Sequence, residues 1–270
     1  MIRPAALLAA AALVASAATA REIDTAALLE LPVADVVVLG EVHDNPLHHA
    51  NQTLATRAIA PKALVFEMLT DAEARRVTPA LLADEAALER ALGWSAKGWP
   101  DFAWYYPIFT AAPAPAIYGG DLGRDTVRRA MTEGAAAVLG PSGALFGLDA
   151  PLPRDVQARR EADQMAAHCD ALPEELLPGM VEAQRLRDAA LARAVIAAYL
   201  DTGGPVVVIT GNGHARTDQA VPAMLAKAMP DLSVTSVAQF ETSAPDNPAF
   251  DYWLVTPATP REDPCNAFRR

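Results

Sequence analysis

Three short aliphatic runs, each stopping on a polar side chain that can do chemistry, constrain this chain more than any other feature. Val36-Val37-Val38-Leu39 leads into Gly40-Glu41-Val42-His43, Ala63-Leu64-Val65-Phe66 into Glu67, and Val206-Val207-Val208-Ile209-Thr210 into Gly211-Asn212-Gly213-His214. Unbroken runs of this kind suit strands buried on both faces, as in a parallel sheet covered by helices. In open sheets of that type ligands lie beyond the carboxyl ends of the strands, where these polar tips fall. Two tips share the pattern Gly-x-x-His, and glycine there is expected to allow positive φ and close backbone approach. If both strands are central, His43 and His214 converge over one edge.

Ala116-Tyr118, Ser233-Gln239 and Tyr252-Val255 read as further strands, with helical patterns between most of them. Alternation of strand and helix implies right-handed crossovers, so the expected class is α/β: a mostly parallel central sheet flanked by helices. Two stretches, about 70–112 and 153–202, read as helical insertions forming a smaller all-helical part. With these insertions included, residues 21–270 are expected to form one domain. Asn45 can cap a helix entered through Pro46, and on it His48 and Gln52 share a face at i, i+4, with His49 one step round.

The chain has 270 residues and a formal net charge of −11. That acidity argues against nucleic acid and anionic membrane surfaces as partners. Arg3, the apolar stretch from Ala5 to Val14 and the small-residue end Ala18-Thr19-Ala20 make residues 1–20 a secretory signal peptide, with a mature start near Arg21. An exported, periplasmic protein, soluble after signal removal, is expected. No later run is long and apolar enough to span a bilayer, and no cysteine follows the cleavage point to carry a lipid. The two cysteines, Cys169 and Cys265, can pair in an oxidising compartment or remain two buried thiols.

Chemically, two imidazoles with one or two carboxylates suit a divalent metal such as Zn, Mn or Co, with Glu41, His43, Glu67 and His214 as ligands. Glu41 or Glu67 would then be the general base of a hydrolase. The plainer alternative is a buried His–Glu hydrogen-bond pair joining strand tips. Asp121 is a weaker fourth candidate. Between the first two strands and Asp121, Trp94, Trp99, Phe102, Trp104, Tyr105, Tyr106 and Phe109 fall in one short segment. They read either as a local hydrophobic core or as the wall of a pocket for a flat apolar ligand.

Glu41-Val42-His43-Asp44-Asn45-Pro46, His48-His49, Gln52, the Phe66-Glu67 tip and Gly211-Asn212-Gly213-His214-Ala215-Arg216 together resemble the ChaN family of haem-binding, iron-regulated bacterial proteins, within the wider Tiki superfamily. The resemblance spans most of the mature chain and takes in Tyr105-Tyr106-Pro107 and Asp263-Pro264-Cys265. It implies a parallel sheet flanked by helices, haem as cofactor, and a role in haem or iron uptake beside transport components. It also implies a homodimer that holds haem through tyrosine, for which Tyr105 or Tyr106 is the candidate. His48 and His49 would stand behind the cofactor on the helix, and Arg185 and Arg187 would pair with its propionates by charge. The superfamily also contains enzymes, whose twin Gly-x-x-His motifs and Glu resemble a metal-dependent protease or esterase centre. That is the alternative function.

Overall fold

The computed structural model describes residues 20–267, so the expected signal peptide lies outside the described residues apart from Ala20. Seven parallel strands form one sheet in the order β1-β7-β6-β2-β5-β3-β4. They are β1 (Arg21–Glu22), β2 (Val36–Glu41), β3 (Ala63–Thr70), β4 (Ala116–Asp121), β5 (Val206–Gly211), β6 (Val234–Glu241) and β7 (Tyr252–Thr256). Six match the strands expected from sequence. β1, two residues long and exposed, carries no hydrophobic signal and forms only by pairing with β7.

Period-two alternation divides each strand between two cores. Val36, Val38, Val65, Val206 and Val208 pack on one face, while Val37, Leu39, Leu64, Phe66, Val207 and Ile209 pack on the other. Truncating one of these to Ala costs on the order of 2–5 kcal/mol once the cavity is counted. The second face is covered by α1 (Pro46–Ile59) and by an aromatic layer. That layer follows from α2 (Asp71–Ala74), α3 (Pro79–Leu82), α4 (Glu85–Leu92) and α5 (Phe102–Phe109). Phe109 stacks on Phe66 of the sheet at 4.1 Å between centroids, and Trp94 packs against Phe102 and Tyr105. Most of the aromatic segment is therefore a hydrophobic core, the plainer of its two readings.

The first face lies under α6 (Arg124–Glu133), α7 (Ala135–Leu139), α9 (Leu177–Thr202) and α11 (Val221–Ala228), which follows the single turn α10 (Asn212–Ala215), while α8 (Arg154–Ala167) packs against α9. The expected insertion at 153–202 is thus more than an appendage. Leu186, Ala189, Ala192 and Val195 of α9 are fully buried against the sheet. Cys169 and Cys265 form a disulfide with a Cα separation of 5.5 Å, tying the chain's tail to the loop after α8. No helix among the described residues is long and apolar enough to cross a membrane.

β2 and β5 are adjacent at the centre, with Gly40 opposite Thr210 and Glu41 opposite Gly211. After β2 the chain passes over β5 to β3; after β5 it passes over β2 to β6. The two connections diverge in opposite directions above one pair of tips, which opens a crevice there.

Candidate functional site

Both Gly-x-x-His motifs reach this crevice, but their glycines serve closeness and not positive φ. Gly211 has φ −65°. A Cβ on it would stand 2.9 Å from His43 Nε2, and one on Gly40 would collide with the Asn212 side chain. Glycine at both positions lets the two tips pack closely against each other.

Glu41 ends β2 on the aromatic face and is buried. Its Oε1 accepts from Tyr105 Oη and from His43 Nδ1, each at 2.7 Å, and its Oε2 lies 3.3 Å from His49 Nδ1. Burial alone would raise its pKa, but the His43 and His49 contacts overcome this and hold it down at about 2. Burial likewise acts to lower His43, yet its bond to Glu41 and the charge of Glu67 leave it raised. The His43 side chain is 36% exposed.

α1 supports this loop. Asn45 accepts from Leu47 N as the helix cap and donates to Glu241 Oε1, while Arg261 bridges Asp44 and Glu241. His48 Nδ1 accepts from Val42 N at 2.8 Å, and Nε2 lies 2.8 Å from Thr256 Oγ1. A fixed N–H aimed at Nδ1 requires a lone pair there, and burial lowers the His48 pKa to about 4. His49 Nε2 bonds the His43 carbonyl at 2.8 Å, and Gln52 donates to Leu39 O. His48, His49 and Gln52 are all buried, and each ties the β2 loop in place.

Glu67 lies on the opposite face. Its Oε2 accepts from Thr210 Oγ1 and Gly211 N, and its Oε1 accepts from Arg187 Nη2 at 2.9 Å. His214 Nε2 stands 3.4 Å from the same Oε1, while His214 Nδ1 binds Asp188 at 2.6 Å. Burial acts to lower His214, but two flanking carboxylates raise it to about 10, so it is an imidazolium at neutral pH. Burial acts to raise Glu67, which His214, His43 and Arg187 together hold well below its ordinary value.

The four residues expected around one metal are brought to one edge, but as two separate hydrogen-bonded clusters. Among the described residues no group of three or more His, Cys, Asp or Glu side chains is arranged to hold a metal ion, so the divalent-metal expectation finds no support. Tyr105 is fully buried with its hydroxyl given to Glu41, and burial beside that carboxylate drives its pKa far upward. Tyr106 donates to Leu82 O. Arg185 is buried on Glu182 and the Gly147 and Ala150 carbonyls, away from any opening. Asp121 caps Gly123 N at the β4 tip. Asp188 was not foreseen; its signal was an acid on the buried stripe of α9, in step with Val181 and Val195.

A cleft of about 740 Å³ adjoins the strand tips, between α6, α9 and the segment 96–99. Trp99, Val127, Met131 and Met180 give it apolar walls, and Arg124, Arg128 and Arg187 a cationic rim. It meets the crevice at two points: Arg187 reaches Glu67, and Trp99 lies edge-on to the His43 ring at 5.0 Å. A wide, mostly apolar slot with several guanidinium groups suits a flat ligand carrying carboxylates.

The fold matches the structure described as "Cofacial heme binding to ChaN of Campylobacter jejuni", with a TM-score of 0.59, 20% identity, and coverage of 83% of this chain and 88% of that one. The type III effector HopBA1 is similar at a TM-score of 0.44 and 13% identity, covering 87% of this chain and 92% of that one. No curated protein sequence matches the chain. The family model described as "Haem-binding uptake, Tiki superfamily, ChaN" matches residues 27–225. The chain belongs to the ChaN family of haem-binding proteins.

Proposed function

We propose that this protein is exported and binds haem in the cleft beside the β2, β3 and β5 tips, serving haem or iron uptake. The observation that carries the proposal is the cleft itself, apolar on its walls and cationic on its rim, in a chain of a haem-binding family. Its volume of about 740 Å³ is in the range of sites that enclose a planar ligand of this size. Arg187, Arg124 and Arg128 would pair with the propionates, with Trp99, Met131 and Met180 against the ring. When bound, haem would supply an iron centre; the protein's part would be to seat the ring and screen it from water. Arg187 is retained from the sequence-based candidates, whereas Arg185 has no open side from which to reach a ligand.

Export is supported by the leader-like composition of residues 1–20 and by the Cys169–Cys265 disulfide, a bond that persists in oxidising compartments. A periplasmic location and contacts with haem or iron transport components follow as part of the same reading. A homodimer is proposed on the family resemblance, with the cleft shared across or near its interface. The metal-dependent hydrolase is set aside, because Glu41 and Glu67 are each committed to separate ion pairs.

Titration of haemin into the purified protein tests the proposal. The expected result is a shifted Soret band saturating at one haem per chain, weakened at least about tenfold in the Arg124→Glu/Arg128→Glu double variant. Light scattering with and without haemin is expected to report a dimer. No Soret change at any ratio would overturn the haem reading.

A further inference from the structure

The two edges of the sheet are not equally protected. β1 closes one edge with two exposed residues, too short to template a further strand. β4 closes the other. It pairs with β3 alone, in unbroken register from Ala116 to Gly119, and residues 117–121 make no backbone hydrogen bond outside that pairing among the described residues. Its sequence, Ala-Ile-Tyr-Gly-Gly-Asp, has no proline or lysine to discourage a neighbour. Such an edge leaves a row of N–H and C=O groups open on its outer side.

A groove of about 630 Å³ follows that open side over the whole strand. α2 bounds it at the carboxyl end with Asp71 and Arg75, which pair with each other. α9 bounds it lengthwise with Ala190, Ala194 and Ala197, whose small side chains leave room for an added strand. Leu191 lies against Gly120 and Asp201 bonds Tyr118, so α9 runs antiparallel to β4. Arg193, Ala197 and Asp201 follow at four-residue steps on one face of α9, and all three are exposed. Leu200 beside them is an exposed apolar side chain. Arg193 has no ion-pair partner among the described residues, and Asp201 only accepts from the Tyr118 hydroxyl.

We propose that the β4 edge and this face of α9 form a seam with a second copy of the chain, the two β4 strands pairing antiparallel into one continuous sheet; this rests on the homodimer reading above and names its interface. A positive and a negative charge placed on either side of Ala197 make a self-complementary surface. A two-fold axis at Ala197 sets Arg193 of each copy against Asp201 of the other, so both charges are matched twice. The seam needs no ligand. Asp121 lines both this groove and the haem cleft, so the two clefts lie beside the seam without forming it.

Sedimentation of the mature protein without haemin tests the seam. The expected result is a wild-type dimer that Arg193→Asp and Asp201→Arg each weaken at least about tenfold, because each turns both contacts into like-charge pairs. An equimolar mixture of the two variants is expected to recover the dimer, since opposite charges then meet at both contacts. The double variant carrying both exchanges is expected to recover it as well. Both positions are exposed, so the circular dichroism spectrum is expected to stay unchanged in every form. A monomer without haemin, or a dimer indifferent to both single exchanges, would overturn the seam. A dimer that forms only on adding haemin would also overturn it, while leaving the haem reading intact. A dimer that answers to the exchanges in a protein that binds no haemin would refute the haem reading and uphold the seam.

Discussion

Two clusters at the strand tips of this protein carry the same pair of groups, a glutamate and a histidine, and put them to opposite uses. At the β2 tip, Glu41 is held by a phenol and two imidazoles, and one of those imidazoles, His43, stays partly exposed. At the β3 and β5 tips, His214 is enclosed between Glu67 and Asp188, and its pKa rises to about 10. One acid and one histidine make an oriented donor; two acids around one histidine make a buried cation. The added Asp188 decides the difference, and it comes from the helix layer and not from the motif.

The largest effect expected from breaking this comparison is at His214. His214→Ala leaves Glu67 and Asp188 buried with their shared cation gone, and is expected to cost about 3–5 kcal/mol in urea unfolding. His43→Ala, at a half-exposed position, is expected to cost about 1–2 kcal/mol. Equal losses at the two sites would remove the distinction.

The pH dependence of stability separates the histidines next. The His214 pKa is raised on folding, so its contribution is complete below its unfolded value of 6.5 and is lost as pH rises through about 10. His48 behaves in reverse. Its folded pKa is depressed, so its contribution is complete above 6.5 and is lost as pH falls toward about 4. Thermal midpoints measured across pH are expected to show both limbs, the alkaline one absent in His214→Ala.

Smaller effects sharpen the β2 side. Tyr105→Phe removes a donor from a buried carboxylate and is expected to cost about 1–3 kcal/mol by chemical denaturation. Gly211→Ala places a Cβ 2.9 Å from His43 Nε2. Its stability cost is expected to be about 1 kcal/mol, since His43 can swing outward.

Much of this was legible in the sequence. Unbroken runs such as Val206–Thr210 can only be strands covered on both faces, so the α/β class and six of seven strands followed from hydrophobicity alone. Asn45-Pro46 announced the start of α1 because cap and first-turn chemistry are local. The tips Glu41, His43, Glu67 and His214 were found because polar groups ending a buried run need partners. The partners themselves were not legible. Nothing local says that Tyr105 faces Glu41, 64 residues away, or that Asp188 meets His214, since both depend on how a helix settles on the sheet. The same holds for the cleft, whose walls come from three separated segments. The expectation of a single metal centre finds no support among the described residues for the same reason: motif spacing shows which residues share an edge, but not which face of the sheet each occupies.

The contrast between His43 and His214 is tested most directly by histidine-selective nuclear magnetic resonance, recorded across pH with and without haemin. The expected result is that His214 stays doubly protonated to about pH 10 in both states, while the resonances of His43, whose ring abuts Trp99 of the cleft, shift when haemin binds. If His214 titrates near 6.5, or if haemin leaves His43 unshifted, the division of the two clusters into a buried cation and a part-exposed imidazole beside the cleft is wrong.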